Sequence, residues 1–278
     1  MLKNTFHHIP GIGAKTEKEI WDIGVLDWDR FQTNNAGNLS QGRARLAKKY
    51  IDESVEQLRK NNPVYFTKLL PSNLHWRIFP EFRHLTVYLD IETTGLDGFS
   101  TITTISLYDG KHIRWYVDGH NLDQFPDDIL QYKVIITYNG KGFDIPFIEN
   151  QFGLKLDHSH IDLRYVLAGL GFSGGLKGCE RQLGINRGDL SGVDGYFAVL
   201  LWNDYIRNNN KRALETLLAY NIEDVVNLEK LMVISYNMKI KNTPYMNSHD
   251  LDLPRSPLIP FQPDMETIAR IKREYMAW

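Results

Sequence analysis

The chain has 278 residues, 42% hydrophobic and 24% charged, with a formal net charge of −2. These are the proportions of an ordinary globular protein, long enough for one large domain or a core with extensions, and they show no overall basic character that would announce nucleic acid. The single cysteine, Cys179, excludes an internal disulfide; the longest apolar run, YFAVLLW, is far too short to span a bilayer.

Three stretches differ in texture. Residues 1–75 read as a helical N-terminal region broken by glycine and proline. AKTEKEIWDIGV follows a glycine turn, and LSQGRARLAKKYIDESVEQLRKNN places Leu46, Tyr50, Ile51, Val55 and Leu58 at helical spacing. The opening MLKNTFHHIPGIG lacks the apolar core of a signal peptide, so a cytoplasmic location is expected and no membrane partner. GIGAKT lacks the first glycine, the preceding strand and the glycine before lysine that a phosphate-binding loop requires. IPGIG partly resembles the turn of a helix-hairpin-helix module, whose helix-start amides can hold phosphate, but only ten residues precede Gly11. Lys15, Lys18, Arg43, Arg45, Lys48 and Lys49 tilt this region toward a nucleic-acid role, with a purely structural cap as the alternative.

Residues 76–240 open with three strand-like runs, HLTVYLDIE, STITTISLYD and HIRWYVDG, separated by turn signals and forming a meander. A short helix (DQFPDDILQY), a fourth strand (KVIITYN), a helix (IPFIENQFG) and a fifth strand turning helical (HSHIDLRYVL) come next, and the remainder is mostly helical to about residue 236. Strands first, then strand and helix in alternation, predict an α/β domain with a five-stranded mixed sheet flanked by helices. Residues 241–278 form a proline-rich connector and a closing helix that packs on the core through Ile268, Ile271 and Tyr275.

The acids are distributed unevenly. Lys and Arg outnumber Asp and Glu 12 to 8 over residues 1–80, whereas the acids lead 21 to 15 over residues 81–240. Strand alternation sends Leu85, Val87, Leu89 and Ile91 to one face and Tyr88, Asp90 and Glu92 to the other. Two carboxylates that close repel unless a proton or a cation lies between them. Asp144 follows a glycine-containing turn and precedes a helix, where it could equally be an N-cap. Further on, Leu214, Leu217, Leu218, Val225, Leu228 and Met232 form a helical stripe with Tyr220 and Asp224 one turn apart at its edge.

In that order, LDIETTGL, YNGKGFD and YNIED resemble the three exonuclease motifs of the DEDD superfamily in its tyrosine branch, the group that contains the proofreading domains of DNA polymerases. WRIFPEFRHLTVYLDIETTGL and YNIEDVVNLEKL further resemble the ribonuclease H-like proteins of the YprB type, a likeness covering roughly residues 70–235. The resemblance implies a ribonuclease H-like fold and a 3′–5′ exonuclease acting on a single-stranded 3′ end, DNA in preference to RNA. It implies that Asp90, Glu92, Asp144 and Asp224 hold two Mg²⁺ or Mn²⁺ ions, Asp90 bridging them and Asp144 supporting the outer one. Tyr220 would fix the attacking water. Thr93, Thr94, Gly95 and Leu96 would touch the terminal nucleotide, and Asn139 and Phe143 its sugar or base. Oxygen-only ligands suit hard ions, and two of them can serve the attacking and leaving oxygens of a phosphodiester. A tyrosine with an ordinary pKa near 10 is a poor base, which suits a positioning role.

Other constellations are weaker. His158 and His160 share a strand face without further zinc ligands and read as a surface pair. Asp162 would line the site behind the ligands, and Cys179 would pack as a small apolar group. The rival functions are a nuclease cutting within strands or at junctions, a non-catalytic nucleic-acid-binding module, and a subunit of a DNA repair complex.

Overall fold

The computed structural model describes residues 1–33, 39–95, 97–190 and 193–275. Among them, β1 (Thr86–Thr93), β2 (Ile102–Tyr108), β3 (Ile113–Val117), β4 (Val134–Thr137) and β5 (Ser159–Asp162) form one mixed sheet in the order β3-β2-β1-β4-β5. The three consecutive strands pair antiparallel as a meander; β4 joins β1 in parallel and β5 joins β4 in parallel. This is the five-stranded mixed sheet expected from the order of elements, and the ribonuclease H-like fold that the resemblance implies.

Helices cover both faces. α6 (Phe125–Ile129) and α7 (Asp144–Phe152) lie over one, where Val87, Leu89, Ile91, Ile105, Leu107 and Ile135 form a compact apolar cluster with Phe125 and Ile148. On the other face, α8 (Leu163–Ala168), α9 (Gly175–Gln182), α10 (Gly195–Asn208) and α11 (Lys211–Ile240) pack with Tyr88, Tyr108, Val134, Ile136 and Ile161 in a larger core. A central strand covered on both sides is buried along its length, and β1 is so except at Asp90, which is half-buried. Leu85 departs from the expected alternation: it stands in a 3₁₀ turn before the strand and packs on the larger core, opposite Val87.

Phe6, ahead of the first α-helix, and the N-terminal helices α1 (Ala14–Asp22), α2 (Trp28–Thr33), α3 (Gln41–Arg59), α4 (Pro63–Leu69) and α5 (Phe79–Phe82), through Ile20, Trp28, Ile51, Phe66 and Phe82, contribute to that same larger core. Arg77 and Glu17 form a buried ion pair at 2.9 Å, and the Glu17 carboxylate also accepts from the backbone N–H groups of Phe6 and His7 at 2.7 and 3.0 Å. The buried side of α3 is rotated from the stripe read in the sequence. Ala47, Ile51 and Ser54 are buried, whereas Leu46 and Val55 are exposed. Ser54 turns inward because its hydroxyl donates to Tyr50 O and meets the ring of buried His8 at 2.9 Å.

At the other end, α12 (Met265–Tyr275) buries Ile268 and Ile271 but leaves Tyr275 exposed, because the apolar stripe runs past the end of the surface it covers. The connector before it is held by Asn237, whose amide donates to Leu251 O and whose carbonyl accepts from Leu251 N, at 2.8 and 2.9 Å. Tyr245 OH donates to Leu26 O, fastening the connector to the N-terminal helices.

Candidate metal centre

The site forms where β1 ends against α11. Asp90 and Glu92 leave β1 on the α11 side, and a bulge after Glu92 ends the regular pairing with β2. α11 brings Asp224 to them: one carboxylate oxygen from each of Asp90, Glu92 and Asp224 lies within 4.8 Å of the others. The helix is long and buried nearly all round over residues 216–236, because the sheet covers one side and α8, α10 and α12 pack on the rest. Its polar residues are therefore interior groups that need partners.

Asp144 occupies the first turn of α7 but does not cap it. Its Oδ1 accepts from Ile91 N on β1 at 3.2 Å, so the side chain points to the strand that carries Asp90 and Glu92. It stands beside the three mutually close acids and outside their 4.8 Å group. The turn before it is tightly built. Asn139 adopts the left-handed conformation with φ 68°, and Gly140 packs so closely that a Cβ there would lie 2.4 Å from Thr137 Oγ1. Asp162 at the end of β5 fixes this turn from below. It accepts from the N–H groups of Asn139 and Lys141 at 2.8 and 3.1 Å, a supporting position behind the acids.

Tyr220 is buried on α11, one turn before Asp224, with Lys177 Nζ 4.4 Å from its ring centroid. Thr93 is buried and donates through its hydroxyl to Gly95 O at 2.6 Å, Thr94 is exposed, and Gly95 is half-buried. Leu96 lies outside the described residues. Asn139 receives Arg164 Nη1 on its Oδ1 at 2.5 Å, and Phe143 packs against Phe147 with ring centroids 4.8 Å apart. A cavity of about 470 Å³ opens beside Asn139, lined by Tyr138, Arg164, Phe172 and Gly174 among others.

Burial, together with Asp224, Asp144 and Glu92, pushes the Asp90 carboxyl well above its ordinary value, and Asn221 offsets only part of this. Burial and Asp224 push Glu92 up in the same way, against Lys177. Burial raises Asp144 to about 7. The acids crowd negative charge that Arg187 and Lys177 only partly offset and that a cation would relieve, and every candidate donor is an oxygen. Asp90, Glu92 and Asp224, with Asp144 behind them, therefore fit a hard divalent ion.

Several residues of the site carry no signal in the motifs. Asn221 donates to Asp90 Oδ2 at 2.6 Å while its Oδ1 accepts from Thr104 and Ser106 hydroxyls at 3.2 and 2.6 Å. Arg187 forms an ion pair with Asp224 and is gripped by Glu180. Asn221 stands between Tyr220 and Asp224 in YNIED, where its polarity on a buried helix is the one available hint. The histidines do not form a surface pair: His160 Nε2 meets Thr137 Oγ1 at 2.9 Å and His158 Nε2 meets Ile129 O at 3.2 Å, both half-buried. Burial pushes His160 down to about 3, so its ring is neutral.

A family model described as the RNase_H superfamily matches residues 87–236, just over half of the chain. No curated protein matches the sequence. Among solved structures, the family B DNA polymerase from the hyperthermophilic archaeon Pyrobaculum calidifontis is similar at 15% identity with a TM-score of 0.44. The match covers 56% of this chain and 24% of the polymerase chain, so this protein spans about a quarter of that polymerase.

Proposed function

Because the chain belongs to the RNase H superfamily, we propose that it is a metal-dependent nuclease of the DEDD type in its tyrosine branch, close to the YprB-type proteins, and that it removes nucleotides from the 3′ end of single-stranded nucleic acid, DNA in preference to RNA. The observation that carries this reading is the convergence of Asp90, Glu92 and Asp224 within 4.8 Å, from a strand and a helix far apart in the chain.

Asp90, Glu92 and Asp224 would hold the divalent ions, with Asp144 as a supporting ligand. When bound, two Mg²⁺ or Mn²⁺ ions would supply positive charge at the attacking and leaving oxygens of the scissile phosphodiester. Tyr220 keeps its proton at any physiological pH, since burial and then the Asp224 and Glu92 charges raise its pKa far above the ordinary phenol. Its hydroxyl therefore orients water by hydrogen bonding and does not act as a base. Asn221 holds Asp90 in one orientation, so that ligand need not be ordered when substrate arrives.

The strand end would lie along Thr93, Thr94, Gly95 and Leu96, with Asn139 and Phe143 at its sugar and base. The cavity beside Asn139 offers aromatic faces from Tyr138 and Phe172 and a guanidinium from Arg164, surfaces on which bases of any identity can stack. Stacking without base-edge readout suits an enzyme that shortens a strand regardless of sequence.

The test is cleavage of 5′-labelled single-stranded, duplex and RNA oligonucleotides with Mn²⁺ or Mg²⁺. A ladder shortening from the 3′ end supports the proposal. Internal cuts would assign a nuclease of the endo-acting kind, and binding without cleavage would assign a non-catalytic module.

A further inference from the structure

Arg187 lies in the segment between α9 and α10, and its side chain is only 6% exposed. Its Nε and Nη2 donate to Glu180 Oε2 and Oε1 at 2.5 and 2.8 Å, a two-point grip by a carboxylate that is itself buried. The remaining nitrogen, Nη1, pairs with Asp224 Oδ1. Asn227 Nδ2 donates to Glu180 Oε1 at 3.0 Å. Asn227 follows Asp224 by three positions on α11 and shares its side of the helix. The chain of contacts therefore runs Asn227, Glu180, Arg187, Asp224, leaving α11 and returning to it. The guanidinium carbon also lies 5.8 Å from the Tyr220 ring centroid.

Packing alone does not account for this arrangement. Burying a guanidinium and its carboxylate partner costs several kcal/mol of hydration per ion, and apolar residues of equal volume commonly serve a core as well or better. Here the buried cation ends on one oxygen of an acid in the candidate metal centre. A planar guanidinium can span two carboxylates at fixed angles, which an ammonium cannot.

We propose that Arg187, gripped by Glu180, is a positioning residue for the metal centre: it fixes Asp224 through Oδ1 so that Oδ2 is presented to the divalent ions, and it braces the ring of Tyr220. This rests on the reading of Asp90, Glu92 and Asp224 as metal ligands. The Arg187 charge by itself opposes a bound cation, so its removal weakens binding only because the ligand orientation it imposes outweighs that repulsion. Glu180 keeps that charge from swinging into the ion position, because two of the three guanidinium nitrogens are committed to it. The ligand orientation thus depends on a residue that touches neither ion nor substrate.

The experiment is direct Mn²⁺ titration of the full-length chain, followed by electron paramagnetic resonance of the free ion, on the wild type, Arg187→Gln, Arg187→Lys and Glu180→Gln, with thermal unfolding of each. Arg187→Gln is expected to weaken Mn²⁺ binding roughly 10- to 100-fold, the usual cost of losing an outer partner of a metal ligand. Arg187→Lys should restore part of that loss. Glu180→Gln, which keeps its size and one acceptor oxygen, should weaken binding in the same direction by roughly ten-fold. A folded Arg187→Gln that binds Mn²⁺ like the wild type overturns the proposal, even if its melting temperature falls. Should Arg187→Gln not fold, unchanged binding by Glu180→Gln overturns it equally. A wild-type chain that binds no Mn²⁺ would overturn the nuclease reading and this inference with it, an outcome distinct from unchanged binding in the variants.

Discussion

Asn221 donates its side-chain amide to Asp90 Oδ2 at 2.6 Å, joining α11 to β1 across 131 positions of the chain. The same side chain accepts from Thr104 and Ser106 on β2, so one amide ties three elements at the floor of the site. Replacing Asn221 by Leu leaves Asp90, Thr104 and Ser106 each short of a partner. Stripping a partner from a buried polar group costs about 1–3 kcal/mol, so a total loss of about 2–4 kcal/mol is expected after relaxation. Urea unfolding of the variant measures it, and a midpoint equal to the wild type would show that these contacts are not made in solution.

Asp90→Asn and Asp224→Ala should each abolish metal-dependent hydrolysis. Their effects on the metal-free fold should differ in sign. Asp90→Asn removes a charge that three neighbouring acids repel and keeps the shape of the group, so the metal-free protein should melt higher, by about 2–4 °C for each kcal/mol gained. Asp224→Ala leaves buried Arg187 Nη1 without its partner, although Glu180 still holds the other two nitrogens, and should melt lower. Calorimetry in chelator, beside a cleavage assay in Mn²⁺, reads both. Retained cleavage by either variant would contradict the ligand assignment.

Tyr220→Phe should slow cleavage about ten-fold, the worth of one neutral hydrogen bond, with Mn²⁺ affinity nearly unchanged. The pH–rate profile should keep its shape, because the phenol does not titrate in the working range. Single-turnover kinetics at saturating metal decide the matter; an unchanged rate would mean that another group holds the water.

Without metal, the contribution of the site acids to stability should fall as pH rises, against that of buried, neutral histidines such as His160, which rises up to about pH 6.5. Burial raises Asp144 to about 7 in the fold, whereas an unfolded aspartate has a value of 3.8. Between those values the folded chain holds a proton that the unfolded chain has released, so each pH unit crossed costs up to about 1.4 kcal/mol. Asp90 and Glu92, also raised, act with the same sign. Added Mn²⁺ competes with those protons and should stabilise more strongly at higher pH. Melting curves of the wild type and Asp144→Asn in chelator, from about pH 5 to about pH 8, should diverge, the wild type losing stability relative to the variant as pH rises; a constant difference would refute this account.

Local pattern made much of the architecture legible. The period-two apolar runs gave the five strands, and the change to helical spacing after β5 gave the helical remainder. Asp90, Glu92 and Asp224 were readable because each stands at a fixed offset inside a short segment. Arg187 and Glu180 were not, since their meaning arises only when the α9 region is laid against α11, and no periodicity encodes that docking. His158 and His160 show the same limit. Their common strand face followed from alternation, but its cover depended on distant segments: His158 Nε2 meets Ile129 O at the end of α6 at 3.2 Å, and His160 Nε2 meets Thr137 Oγ1 on β4 at 2.9 Å. The phase of α3 failed for a related reason: Ser54 faces inward because a buried histidine offers it a bond, which outweighs the hydrophobic appeal of Val55.

α11 runs through 30 residues, a rod of about 45 Å that bears Tyr220, Asn221 and Asp224 in its middle and the Asn237 clasp near its end. Side chains on one such rod share a single rotational phase. Adding or deleting one residue between Lys211 and Tyr220 would turn all three together by about 100° relative to the start of the helix. Change along this helix can thus proceed by swapping residues but not by altering its length, which leaves loop insertions as the open route for varying the surroundings of the site.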